Sequence, residues 1–219
     1  MRTRLLSLVL SLAVVTQAGA QTFSNTTPIG ISDIGNAGLY PSSIAVTGLS
    51  GAATLAGVKL YGAYHTFPAD LDIALLDITH NRGIILTTDR GGGNDLSNTN
   101  VFFADANTPF FGGIFGSLAG ITGDYKPQGF TTPAGGAFSG SLGSPTFFDT
   151  FASFLDASPN ATYGLYIFDD TSEDEGQLSG GWSIEFADEP VGTPEPASIF
   201  LLGTGLAGVA MWSRRRRAS

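Results

Sequence analysis

The sequence predicts an all-β protein, an antiparallel β-sandwich of short strands. Three observations predict it. Apolar and polar residues alternate at period two in several short runs, and Gly, Asn, Asp and Pro punctuate the chain between them. Away from the two ends, no window of about a dozen residues carries an apolar stripe at helical spacing. In chain order the clearest runs are residues 43–49, 55–67, 71–77, 83–88, 100–105, 162–170 and 181–186. In "LDIALLD", Leu71, Ile73 and Leu75 share one face, with Asp72 and Ala74 on the other. In "GWSIEF", Trp182, Ile184 and Phe186 alternate with Ser183 and Glu185. Such a strand is expected to turn one face into a core and the other to water.

Residues 107–148 differ in composition, with many Gly, Ser, Thr, Pro and Phe and little charge. They are expected to form long connections with one or two short strands. Phe110, Phe111, Phe115, Phe130 and Phe138 either cap the core or form an exposed sticky surface.

The N-terminus has the pattern of a secretory signal peptide over residues 1–20. Arg2 and Arg4 precede an apolar stretch from Leu5 to Val15, and Ala18-Gly19-Ala20 offers a small-residue cleavage site before Gln21. The stretch is too short for a membrane anchor. The expected organisation is then a signal peptide, one domain over 21–190, and a tail over 191–219.

Charge narrows the partners. Arg2, Arg4 and the four terminal arginines lie in the removable ends, leaving four basic and eighteen acidic side chains in the middle, a net of −14. That surface repels phosphate backbones, so no nucleic-acid partner is expected. With no cysteine, disulfides and thiolate metal sites are excluded.

The tail begins with Pro194-Glu195-Pro196, continues through sixteen uncharged residues from Ala197 to Trp212, and ends in Arg214, Arg215, Arg216 and Arg217. As a short transmembrane helix those sixteen residues would span about 24 Å, less than a typical hydrocarbon core of about 30 Å. The arginines would stay on the cytoplasmic side. This three-part end resembles the PEP-CTERM sorting signal of Gram-negative bacteria. The resemblance implies export across the inner membrane, a transient stay there, processing by an exosortase, and delivery to the cell surface or an exopolysaccharide matrix. A plain C-terminal anchor is the less favoured alternative.

A second resemblance covers roughly residues 40–186. His65, Thr66 and Phe67, then Asp70, Leu71 and Ile73, and later Asn160, Thr162, Leu165, Asp169, Asp170, Gly176, Leu178 and Trp182 are similar to the P-domain of proprotein convertases. "NDLSNTNVFFAD", Tyr125 and Pro127 fit the connections between. Ala69, Ala161 and Tyr163 depart from the family pattern, which has glycine, glycine and tryptophan there. The resemblance implies a jelly-roll-like sandwich and, in His65, a structural histidine. Fold does not carry activity with it.

The chemistry on offer is sparse. There is no G-x-S-x-G elbow and no Cys, and His65 and His80 are the only candidate bases. The chain is therefore expected not to be an enzyme. The densest oxygen cluster is "FDDTSEDEGQ", where Asp169, Asp170, Asp174 and Glu175 would meet Asp70 or Asp72 if their strands are neighbours. Calcium, with about six to eight oxygen ligands, is the cofactor such a cluster would suit. A solvated loop held by Asx turns is the other reading. Tyr61, Tyr64, Tyr125 and Tyr166 would stack on sugars if exposed, and fill a core if not. The expectation is a non-catalytic surface or matrix protein with a structural or adhesive role. The alternatives are a carbohydrate-binding module for matrix polysaccharide and an accessory module to a separate protease.

Overall fold

The computed structural model describes residues 19–107, 123–130, 138–155 and 158–187. The signal peptide, the tail with all its sorting residues, and Phe110, Phe111 and Phe115 lie outside this range, except for Gly19 and Ala20.

The described residues form thirteen strands: β1 (Ala20–Asn25), β2 (Ile29–Ile31), β3 (Gly35–Asn36), β4 (Ser42–Ala45), β5 (Thr54–His65), β6 (Leu71–Asp77), β7 (Arg82–Thr87), β8 (Leu96–Phe103), β9 (Gly123–Tyr125), β10 (Thr146–Phe148), β11 (Thr162–Asp169), β12 (Gly176–Leu178) and β13 (Trp182–Ala187). One helical turn, α1 (Phe151–Phe154), and a 3-10 turn at Pro68–Asp70 complete the set. The fold class is all-β, as its period-two runs predict.

The first sheet is organised by β5. One edge of β5 pairs with β13 and then β12, whose outer edges carry β1 and β2, and the other edge pairs with β8. The twelve-residue β5 changes register where it passes from β13 to β12. Gly62 sits there at φ +59°, a left-handed conformation open to glycine, and a Cβ would meet the Ser179 hydroxyl and lie 2.9 Å from Asn98 Oδ1. The second sheet runs β10-β7-β6-β11, with β3 and β4 side by side on the far edge of β11. Pairing is antiparallel except for β8–β9 and β10–β7, which are parallel. Those two pairs qualify the expectation of a purely antiparallel sandwich. Both short strands lie within residues 107–148, and each is far in sequence from the strand it joins, so a hairpin does not set its direction.

A single apolar cluster joins the sheets. Trp182, Ile184, Phe186, Val58, Leu60 and Phe103 come from the first, and Ile73, Leu75, Ile84, Tyr163, Leu165 and Ile167 from the second. Two buried hydrogen bonds and a partly buried arginine secure it. Trp182 Nε1 donates to Ser42 Oγ at 3.0 Å, and the Tyr163 hydroxyl donates to the Pro159 carbonyl at 3.0 Å. The Arg82 guanidinium lies 3.9 Å from the centre of the Phe148 ring and donates to the carbonyls of Ser153 and Phe154 at the end of α1, both at 2.6 Å.

The expected water-facing side of β6 is not in water. All seven of its residues are buried. Ala74 and Leu76, with Ile85 of β7, lie under Phe138, Leu142, Phe147 and Tyr166. The described residues 138–148 of the glycine-rich connection thus cover the outer face of the second sheet, and Asp72 is buried with its neighbours. Phe138 belongs to this cover, whereas Phe130 is 65% exposed and stacks on Phe147 at 5.3 Å.

Candidate functional site: an acidic cluster at the ends of β6 and β11

Antiparallel pairing of β6 and β11 sets Leu71 opposite Asp169 and Asp72 opposite Phe168. The Asp170 N–H then donates to the Asp70 carbonyl at 3.1 Å. Asp70 is thereby brought beside the loop that follows β11, and Asp72 lies opposite Phe168 at the end of that strand.

His65 and Asp169 form its buried centre, both with fully buried side chains, and His65 Nε2 lies 2.9 Å from Asp169 Oδ2. His65 Nδ1 accepts from the Phe67 N–H at 3.2 Å, so the ring proton sits on Nε2 and is donated to the carboxylate. Asp169 Oδ1 accepts from the Thr171 N–H at 3.1 Å. Burial pushes the Asp169 carboxyl up, against the lowering effect of these donors. The pair ties β5 to β11 and leaves neither ring nitrogen free. His80 is engaged through one nitrogen, with Nδ1 2.6 Å from Asp77 Oδ2.

Around this centre the acids fall into two groups. On one side, burial, a hydrogen bond between the Asp70 and Asp174 carboxyls, and the charges of Asp174, Asp169 and Asp170 raise Asp70 to about 6. Asp174 Oδ1 also accepts from the Thr66 hydroxyl at 2.8 Å. On the other side, Asp72 Oδ2 accepts from the Ser139 N–H at 2.6 Å, while Asp72 Oδ1 is buried without a hydrogen-bond partner. Burial, with help from the charges of Asp89 and Asp170, lifts Asp72 to about 7. Ser139 Oγ donates to Asp170 Oδ2 at 3.2 Å and so links the two carboxylates. Glu175 is exposed, and its backbone N–H donates to Thr66 Oγ1 at 3.0 Å.

Such an arrangement favours the protonated carboxyls. Two carboxyls held close favour sharing positive charge, and a buried carboxylate oxygen without a donor is costly when ionised. For calcium the fit is partial. Among the described residues no three His, Cys, Asp or Glu side chains converge as a metal-holding group. Asp70 with Asp174, and Asp72 with Asp170, are separate pairs, and Asp169 is spent on His65.

Sequence reasoning missed three members. Asp33 Oδ1 accepts from the Glu173 and Asp174 N–H groups at 2.6 and 2.8 Å and holds the loop in place. Ser139 and Asp89 complete the surroundings of Asp72. Only Asp33, in the turn "SDIG", carried a local signal, that of an Asx-type residue.

No helix among the described residues is long and apolar enough to cross a membrane. No curated protein matches the chain. The family model described as the PEP-CTERM protein-sorting motif matches residues 193–217, a span that contains Pro194, Glu195, Pro196 and the four arginines from Arg214 to Arg217. That motif implies sorting by an exosortase system, and hence an exported protein directed to the cell surface.

Proposed function

We propose that the chain is a non-catalytic structural or adhesive protein of the cell surface or exopolysaccharide matrix of a Gram-negative bacterium. A P-domain-type, jelly-roll-like sandwich is its working part. The observation that carries this reading is the sorting motif at residues 193–217. In transit, the apolar tail holds the chain at the inner membrane until the exosortase acts on it.

Two features support the rest. Residues of the P-domain resemblance from distant parts of the chain meet: His65 bonds Asp169, and Gly176 pairs with His65 across β12 and β5. The proposal of a non-catalytic chain is supported by His65, which is wholly buried with both ring nitrogens hydrogen-bonded. Calcium belongs to the same proposal, and Asp70 with Asp174, or Asp72 with Asp170, would be the carboxylates that hold it.

Immunolabelling of intact cells tests the reading. Surface label is expected in cells with a functional exosortase and is lost, with the chain held in the inner membrane, when the exosortase is deleted. Equal surface label in both strains would overturn it.

A further inference from the structure

The outer faces of the two sheets differ. The connection through Phe138, Leu142 and Phe147 covers the second. The first carries an open groove of about 500 Å³, lined by Lys59, Asn100, Phe102, Gly123, Asp124 and Glu185. Register explains how these side chains come together. Phe102 of β8 lies opposite Lys59 of β5 and Asp124 of β9, and Lys59 in turn lies opposite Ser183 of β13. The row Asp124, Phe102, Lys59, Ser183 therefore crosses four strands on one face, with Glu185 beside it.

Phe102 forms the floor. It is half-buried, and its ring covers Gly57 of the adjacent strand, where a Cβ would lie 2.5 Å from the ring carbons. The missing side chain lets the aromatic ring rest against the sheet with its outer side toward the groove. Around it stand polar groups with hydrogen-bonding capacity to spare. Asn100 spends its Oδ1 on the Gly62 N–H at 3.0 Å, which leaves its Nδ2 donors. Lys59 makes no ion pair among the described residues, and its ammonium sits 5.4 Å from the centre of the Tyr61 ring. Asp124 and Glu185 supply acceptors on either side.

We infer that this groove is a binding site for a neutral polysaccharide chain. An aromatic ring flanked by interleaved donors and acceptors matches a hexose, which offers an apolar C–H face and a rim of hydroxyls that both donate and accept. Charge selects against an acidic glycan. The middle of the chain carries a net −14, and two of the groove's three charged residues are carboxylates, so a polyuronate or a phosphate-bearing chain is repelled. The groove's volume lies in the range that houses small ligands. The inference goes beyond the sorting reading and does not depend on it, because binding is measured on isolated protein.

The test is isothermal titration of the purified full-length chain with cellohexaose, laminarihexaose and maltohexaose, and with a hexamer of alginate as the acidic control. At least one neutral hexamer binds, and the alginate hexamer does not. Phe102→Ala weakens that binding by about tenfold. Asp124→Arg, an exposed change that keeps the fold, weakens it several-fold and serves if Phe102→Ala does not fold. Three results would each overturn the inference: no binding of any neutral hexamer, tighter binding of alginate, or binding untouched by Asp124→Arg.

Discussion

Replacing Asp72 with asparagine exchanges a buried carboxyl for a neutral amide of nearly the same shape. In the native protein the Asp72 side chain is 1% exposed, one of its oxygens has no donor, and its pKa is lifted from the ordinary 3.8 to about 7. Its native pKa lies above its unfolded one, so between these values the native state holds more protons than the unfolded state. Stability from this group is complete below about pH 4 and is lost as pH rises toward and through 7. The full displacement would correspond to about 4 kcal/mol. Burial is the chief cause of the shift, the charges of exposed Asp89 and half-buried Asp170 add a part that solvent screens, and about 2 kcal/mol is the working figure. For a domain of this size that corresponds to about 4–8 °C in Tm. In buffer with chelator, Asp72→Asn is therefore expected to melt about 4–8 °C above the wild type at pH 8, and within about 2 °C of it at pH 4. Melting followed by circular dichroism across that pH range is the assay. An offset equal at both pH values, or a variant less stable at pH 8, would refute the reasoning.

Three other outcomes are expected. Asp169→Ala strips the His65 Nε2–H and the Thr171 N–H of their acceptor and should cost about 3 kcal/mol in urea denaturation. Tyr163→Phe removes one buried hydrogen bond to the Pro159 carbonyl, a loss of about 1 kcal/mol by the same method. Calcium at millimolar concentration should raise the wild-type Tm at pH 8, because a ligand held only by the native state stabilises it, and an unchanged Tm would remove calcium from the proposal.

Legibility in the sequence tracked how local the cause was. The bounds of β6, β11 and β13 follow almost directly from runs of apolar residues at period two. β1 was hidden because "AQTFSN" has one large apolar residue, Phe23, and becomes a strand by pairing along β13. The burial of the second face of β6 was equally hidden, since it depends on where a distant glycine-rich connection comes to rest. For the cluster, the acids themselves were visible, but Ser139 reaches Asp72 from 67 residues away and Asp33 reaches Asp174 from 141. Aromatic orientation failed for a related reason. Adjacent residues in a strand face opposite sides, so the pair Phe102-Phe103 had to divide between core and surface, and only the fold says which goes where. Phe103 entered the core and Phe102 the groove, while Tyr125, a candidate sugar platform, is 4% exposed and packs near Phe103.

Intact-mass spectrometry of the chain recovered from the cell surface and the spent medium tests the central claim most directly. The account predicts a species that starts at Gln21 and ends near Pro194–Pro196, with the apolar stretch and all four terminal arginines gone. A surface species that still carries Arg214 to Arg217 would contradict it.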